Sequence, residues 1–270
     1  MLQNSQLGKT STYNKQYDAS LLFPISRQEN RDAMGVTSKL PFHGVDIWNA
    51  YEISWLNSKG KPQIVVGKFH VPAESENITE SKSLKLYLNS FNQTKFTSAD
   101  AVKNLIQADL SRATQSTVTV KLIPPSDFQQ QRFNELPGRC IDDIDVSIDI
   151  YEHDASLLQT AKHTVEETLH SHLLKSNCLI TRQPDWASVM IRYSGNAIDH
   201  ASLLKYLISF RNHNEFHEPC AERIFTDIMR ECTPEKLSVY ARFTRRGGID
   251  INPFRSNFEN NPTNFRNFRQ

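Results

Sequence analysis

A repeated order of elements constrains this chain more than any other feature: two strands, two helices and a closing strand, met twice along 270 residues. In the first run, Val45 to Leu56 and Gln63 to Val71 have strand character and are joined by the turn-forming Asn57-Ser58-Lys59-Gly60-Lys61-Pro62. A helix from Ser81 places Leu84, Tyr87, Leu88 and Phe91 on one stripe and leaves Lys82 and Lys85 on the other side. A second helix, Ala99 to Ala113, follows the capping Ser98 and gathers Val102, Leu105, Ile106 and Leu110. Thr117 to Ile123 is a β-branched strand stopped by Pro124-Pro125. The second run has strands at Ile144 to Tyr151, Ser188 to Tyr193, Leu237 to Phe243 and Ile249 to Ile251. Its helices are Ala201 to Phe210 and one opened by Pro219 that carries Ile224, Phe225 and Ile228. Between the first two of those strands Val165, Leu169, Leu173 and Leu174 keep helical spacing, so about 155 to 176 is expected to be an inserted helix. The pattern predicts an α+β fold of two tandem modules, residues 41–135 and 136–270, each an antiparallel sheet backed by a helix pair. An arm, residues 1–40, is expected to dock through Tyr13, Tyr17, Leu21, Leu22 and Phe23. The tail from Asn252, rich in Asn, Phe and Arg and without period, either docks through its phenylalanines or is loose.

Composition narrows the partners. With 31 Lys plus Arg against 30 Asp plus Glu, there is no electrostatic reason to expect direct nucleic-acid or membrane binding, and a small molecule is the default substrate. The four cysteines form no CxxC pair and Met1 to Lys9 lacks the apolar core of a signal peptide, so a reduced, cytoplasmic protein is expected. No apolar run approaches the roughly eighteen residues that cross a bilayer. There is no GxGxxG after a strand and no Walker loop, so a nucleotide cofactor would bind without a Rossmann unit. His217-Glu218-Pro219-Cys220 looks like a zinc deaminase signature, but Arg223 stands where its second cysteine belongs.

Four segments could carry chemistry. Cys178 and Asp185 share the connection Ser176 to Trp186, which offers a nucleophile and a proton donor on one loop, with Trp186 to exclude water; a packed, inert thiol is the alternative. Glu80-Ser81-Lys82 serves either as a plain helix cap or as an anion-favouring helix N-terminus. Phe216-His217-Glu218-Pro219 is a cap or a grip on the hydrogen-bonding edge of a heterocycle. Arg245-Arg246-Gly247-Gly248 is a solvated hairpin tip or a phosphate clamp. His163, His170 and His172, placed on a helix, only half share a face, so no metal is expected.

Together with Leu22-Phe23-Pro24-Ile25-Ser26-Arg27 and Tyr51-Glu52-Ile53-Ser54-Trp55-Leu56-Asn57, these motifs make the chain resemble the long, two-module NADPH-dependent 7-cyano-7-deazaguanine reductases, nitrile reductases of queuosine biosynthesis. The resemblance covers almost the whole length, and Glu80-Ser81-Lys82 is its most specific motif. It implies two tunnelling-fold modules, a homodimer and reduction of the nitrile to a primary amine by two NADPH through a covalent thioimide. By the same resemblance Cys178 would be the nucleophile, Asp185 the proton donor and His217 its assistant. Thr79, Glu80, Ser81, His217 and Glu218 would bind substrate, and Ser81, Lys82, Arg246 and Gly247 the NADPH. Thr79 departs from the aliphatic residue expected before Glu80. Competing readings are a cyclohydrolase-type enzyme of the same fold, which lacks a convincing ligand set here, and a non-catalytic purine-binding scaffold.

Overall fold

A computed structural model describes residues 16–37, 39–260 and 262–270. Tyr13 and the Met1 to Lys9 segment therefore lie outside the described residues. The strands are β1 (Pro24–Ser26), β2 (His43–Leu56), β3 (Pro62–Pro72), β4 (Asn77–Thr79), β5 (Thr119–Ile123), β6 (Arg139–Cys140), β7 (Thr160–Ser171), β8 (Lys175–Asn177), β9 (Pro184–Ile198), β10 (Lys236–Phe243) and β11 (Ile249–Ser256). The helices are α1 (Gln28–Ala33), α2 (Ser81–Ser90), α3 (Ala99–Thr114), α4 (His200–Ser209) and α5 (His217–Cys232).

Local chemistry sets the boundaries. The Asn57 carboxamide accepts from the N–H groups of Lys59 and Lys61, and Gly60 at φ +84° completes the β2–β3 turn. Ser98 caps α3 as expected, and Asp199 caps α4 by accepting from Ser202 N at 2.7 Å. α5 begins at His217, two residues before Pro219, so the proline lies within the first turn, where its missing N–H costs little.

Two expectations fail. The segment expected to be a helix, 155–176, forms a short 3-10 turn and then β7, which pairs antiparallel with β9 from Thr160 opposite Ile198 to Ser171 opposite Val189. Val165 and Leu169 are four apart, a spacing that fits one strand face as well as one helix stripe, and the β-branched Thr160, Thr164, Val165 and Thr168 decide for the strand. β7 therefore takes the ladder position expected of Ile144 to Tyr151. That segment is irregular: Ile144 and Val146 pack part-buried against the core without a strand partner, and the intervening acids face solvent.

The principal sheet runs β5-β3-β2-β11-β10-β9-β7-β6, with β8 added beside β9. The first module supplies β2, β3 and β5 and the second the other six strands, and β11 and β2 join the two parts antiparallel, from Ile249 opposite Ala50 to Ser256 opposite His43. The helices cover one face over two cores. Trp48, Phe69, Leu84, Tyr87 and Phe91 fill the first; Val189, Leu203, Leu207, Phe225 and Phe243 fill the second. Ile249 and Ile251 belong to the first core although they come from the last strand. The seam also carries a buried ionic cluster. Arg255 meets Asp46 and Glu222, each at 2.8 Å, while Arg27 meets Asp46 at 2.5 Å and Arg31 meets Glu222 at 2.8 Å.

Both ends dock. Tyr17 donates to the Asp109 carboxylate at 2.6 Å and packs edge-on against Phe91; Leu21 and Leu22 pack against the first core, and Phe23 O accepts from Glu80 N. Asn252 to Ser256 extend β11, and the remaining tail lies on the helix-free face. There the buried Arg242 holds Phe265 O and, at 2.9 Å, Gln270 Oε1, while Gln270 Nε2 donates to Phe243 O at 2.9 Å. Polar anchors and Phe265, which packs against the Leu136, Met190, Tyr240 and Phe254 cluster, thus fix the tail, while Phe268 stays exposed, stacked on Phe133.

Candidate active site

Cys178 follows β8, not a helix, and starts the loop that returns into β9. Its N–H donates to Gln183 O at 2.9 Å and its carbonyl accepts from Arg182 N at 3.0 Å, closing a tight turn in which Arg182 adopts φ +55°. The thiol is 5% exposed. β9 then alternates its side chains: Asp185 points into the pocket and Trp186 away from it. Trp186 lies instead under the guanidinium groups of Arg211 and Arg269. The wall expected of Trp186 is supplied by Trp48, Ile78 and Ile251, with Phe216 as anticipated.

The pocket takes Thr79 and Ser81 from the first module and Cys178, Asp185, His217, Glu218 and Arg246 from the second. Asp185 Oδ1 is 3.1 Å from the Arg246 guanidinium and its Oδ2 is 3.4 Å from His217 Nε2. His217 is stacked on Phe243 with ring centroids 3.9 Å apart, which fixes the imidazole plane. Gln183 accepts from Arg246 at 2.7 Å, so the guanidinium bridges the cysteine loop and the β10–β11 turn.

Among the described residues the buried Glu218 Oε1 and Thr79 Oγ1 have no hydrogen-bond partner, and both residues line the pocket. A buried group without a partner costs stability, so both are suited to bind a ligand that completes them. Burial first, and the Asp46 charge second, push the Glu218 carboxyl up to about 8. Glu80 is placed differently. Its oxygens accept from Lys82 N at 2.6 Å and Ser83 N at 2.8 Å, capping α2, and it does not line the pocket. The free volume beside Cys178 is about 20 Å³, room for about one water; a bicyclic heterocycle enters only if the walls move.

A second cavity of about 260 Å³ adjoins through the Arg246 turn and is lined by Glu52, Lys82, Lys85, Gly247 and Gly248. Burial, then the neighbouring Arg246, lowers the Lys85 pKa. Gly248 sits at φ +76°, a conformation that favours glycine, and a Cβ there would push the Glu52 carboxylate aside. Two lysines beside an arginine and a glycine backbone are a donor set suited to phosphates. Sequence reasoning missed Trp48, Ile251 and Glu52, whose strand alternation gave no sign of which face meets the second module. Lys85 was legible as a neighbour of Lys82 on the polar stripe of α2.

Fold and pocket define a class: a two-module α+β enzyme whose thiol pocket draws on both modules. Residues 13–122 match the family model described as nitrile reductase, 7-cyano-7-deazaguanine-reductase N-term, and residues 184–262 that of QueF-like protein. The NADPH-dependent 7-cyano-7-deazaguanine reductase of Cupriavidus metallidurans is 60% identical over 273 residues, and that of Burkholderia lata 59% over 271, each covering 99% of both chains. The chain belongs to this nitrile reductase family.

Proposed function

We propose that this chain reduces the nitrile of 7-cyano-7-deazaguanine to the primary amine with NADPH, a step of queuosine biosynthesis, and that it does so through a covalent thioimide on Cys178. The observation that carries the mechanism is the convergence of a buried thiol, an ion-paired carboxylate and two unpartnered polar atoms on one pocket between the modules.

The Asp185 carboxylate takes the Cys178 thiol proton as Sγ forms a bond to the nitrile carbon and one C–N π bond opens, and it passes that proton to the nitrogen as it becomes basic. His217 and Arg246 hold the Asp185 carboxyl toward the cysteine loop and take up the negative charge it acquires. Glu218 and Thr79 bind the polar edge of the heterocycle and turn its nitrile toward the thiol. Glu80, whose carboxylate fixes the start of α2 and with it Ser81, joins Glu218 in binding the heterocycle once the walls open. Lys82, Lys85, Arg246 and the Gly247 backbone would hold NADPH in the adjoining cavity, and two NADPH in turn would supply the two hydrides of a four-electron reduction. Cys178 leaves as thiolate between the two reductions, so the enzyme is unchanged overall and two protons are consumed. Trp48, Phe216 and Ile251 keep water from the imine.

In this reading residues 41–135 and 136–270 are the two tunnelling-fold modules behind an arm, 1–40, and the protein is a cytoplasmic homodimer. Among the described residues no helix is long and apolar enough to cross a membrane.

Intact-protein mass spectrometry tests the mechanism. Mixed with the nitrile and no NADPH, the chain should gain the whole mass of 7-cyano-7-deazaguanine, mapped to Cys178 and not to Cys140, Cys220 or Cys232, because addition expels no leaving group. Cys178→Ala should bind the nitrile and form no adduct; reduction by Cys178→Ala at the parental rate, or an adduct elsewhere, rules the mechanism out.

A further inference from the structure

At the far edge of the sheet from the seam, β6 lies parallel to β7, with Cys140 opposite His170. His172 follows His170 by two residues, one past the end of β7, and the two rings meet edge-on with centroids 5.3 Å apart, whereas a helical reading separates them. Cys140 Sγ and one nitrogen of each imidazole lie within 4.8 Å of one another.

The surroundings of these rings are ordered. His170 Nδ1 is 3.1 Å from Pro137 O; a carbonyl only accepts, so Nδ1 carries the proton and Nε2 keeps its lone pair. His172 Nδ1 is 2.8 Å from Ser188 Oγ, which holds that ring nitrogen away from an ion and leaves Nε2 as the position facing it when the hydroxyl accepts. Asp142, two residues beyond Cys140, accepts from Ser171 Oγ at 2.5 Å and from His172 N at 2.9 Å, tying the cysteine segment to the end of β7. Outer hydrogen bonds of this kind orient metal-binding imidazoles and fix their tautomer. β6 rides close against β7: a Cβ on Gly138, at φ +89°, would fall 2.1 Å from Thr168 O. His170 is buried while Cys140 is open to solvent, which gives an ion a way in.

We propose that Cys140, His170 and His172 form a site for a thiophilic divalent cation, zinc by preference, separate from the catalytic pocket. One thiolate and two imidazoles suit tetrahedral zinc, with water in the fourth position because both Asp142 oxygens are engaged. The same donors disfavour magnesium and calcium, which take oxygen ligands. Binding forms the sulfur–metal bond and releases the thiol proton to solvent. Its structural effect is to clamp the edge strand β6, near the start of the second module, to β7.

Cobalt(II) is the probe. The full-length chain, stripped with a chelator and passed through a desalting column, should bind one equivalent of cobalt with a thiolate-to-cobalt charge-transfer band in the near ultraviolet. Zinc should abolish that band and raise the melting temperature. Cys140→Ser and His172→Ala should lose the band and the zinc-dependent melting shift while reducing the nitrile at the parental rate, which shows that they fold. Cys178→Ala should keep the band. Absence of a band in the parent protein, a band that survives Cys140→Ser, or one lost with Cys178→Ala overturns the site without touching the assignment of the reductase.

Discussion

Replacing Glu222 by Gln removes one negative charge from the middle of the seam while keeping the shape of the side chain. Three guanidinium groups, Arg27, Arg31 and Arg255, surround the two carboxylates of Glu222 and Asp46, and none of the five is more than 6% exposed. Breaking a buried pair from one side costs about 3–5 kcal/mol, because it strands the opposite charge in a poor solvent. The pairing decides where in that range the loss falls. Arg27 and Arg255 both keep Asp46. Arg31 loses its carboxylate and keeps Ala73 O at 2.6 Å. With one guanidinium stranded, the cost should be about 3 kcal/mol. In a domain of this size that corresponds to a fall of about 6–12 °C in melting temperature. Calorimetry of the two proteins at pH 7 measures it, and the variant should retain turnover at low temperature because Glu222 does not line the pocket. A shift under about 2 °C would mean that the cluster is solvated and the seam is held by its β ladder alone.

The Glu218 carboxyl has its folded value raised to about 8 from an ordinary 4.5; its contribution is therefore complete below pH 4.5 and lost as pH rises through 8. Ligand-free protein should lose up to about 1.4 kcal/mol of stability per pH unit across that window, and Glu218→Gln should flatten the slope in pH-dependent urea melts; an unchanged slope refutes the assignment. Glu222, whose folded pKa is lowered by Arg255 and Arg31 against the opposing effect of burial, acts in reverse: its contribution is present above 4.5 and lost on acidification. Arg246→Ala should raise the KM for NADPH by about 10- to 150-fold, as loss of a charged hydrogen bond does. It should also lower kcat, because Asp185 loses its 3.1 Å partner; steady-state kinetics that show neither change remove Arg246 from the site. With the guanidinium meeting a 2′-phosphate, NADH should be the poorer donor. Asp185→Asn should slow adduct formation about 10²- to 10⁴-fold with the melting curve nearly unchanged, and rapid-quench mass spectrometry that finds the parental rate would reassign the acid.

The first module was legible almost element by element, because its strands are bounded by Asn, Gly and Pro and its helices by the capping Ser98 and a clear apolar stripe. The second module misled where one spacing fits two periods: Val165 and Leu169 read as a helix and are a strand, and the acids of Ile144 to Tyr151 hid the lack of a ladder partner. The same error concealed His170 and His172 as neighbours. Cys178, Asp185, His217, Glu218 and Arg246 could be named through the resemblance, and the chain folds them to one place. That Glu80 caps α2 was one of the two local readings of its motif, whereas that Trp186 faces outward and that Trp48 closes the pocket depend on strand facing and on the β11–β2 seam, which no local pattern encodes.

That seam also orders events in time. Asn252 meets Ile47, 205 positions earlier in the chain. At the usual pace of protein synthesis, β2 has left the ribosome about 10–40 s before β11 exists. During that interval the first module has an open strand edge, and its core lacks Ile249 and Ile251. A nascent chain is thus adhesive for most of its synthesis, and a ribosome that stalls before Ile249 releases a product with both hazards exposed. The last strand to be made is the one that protects the first module.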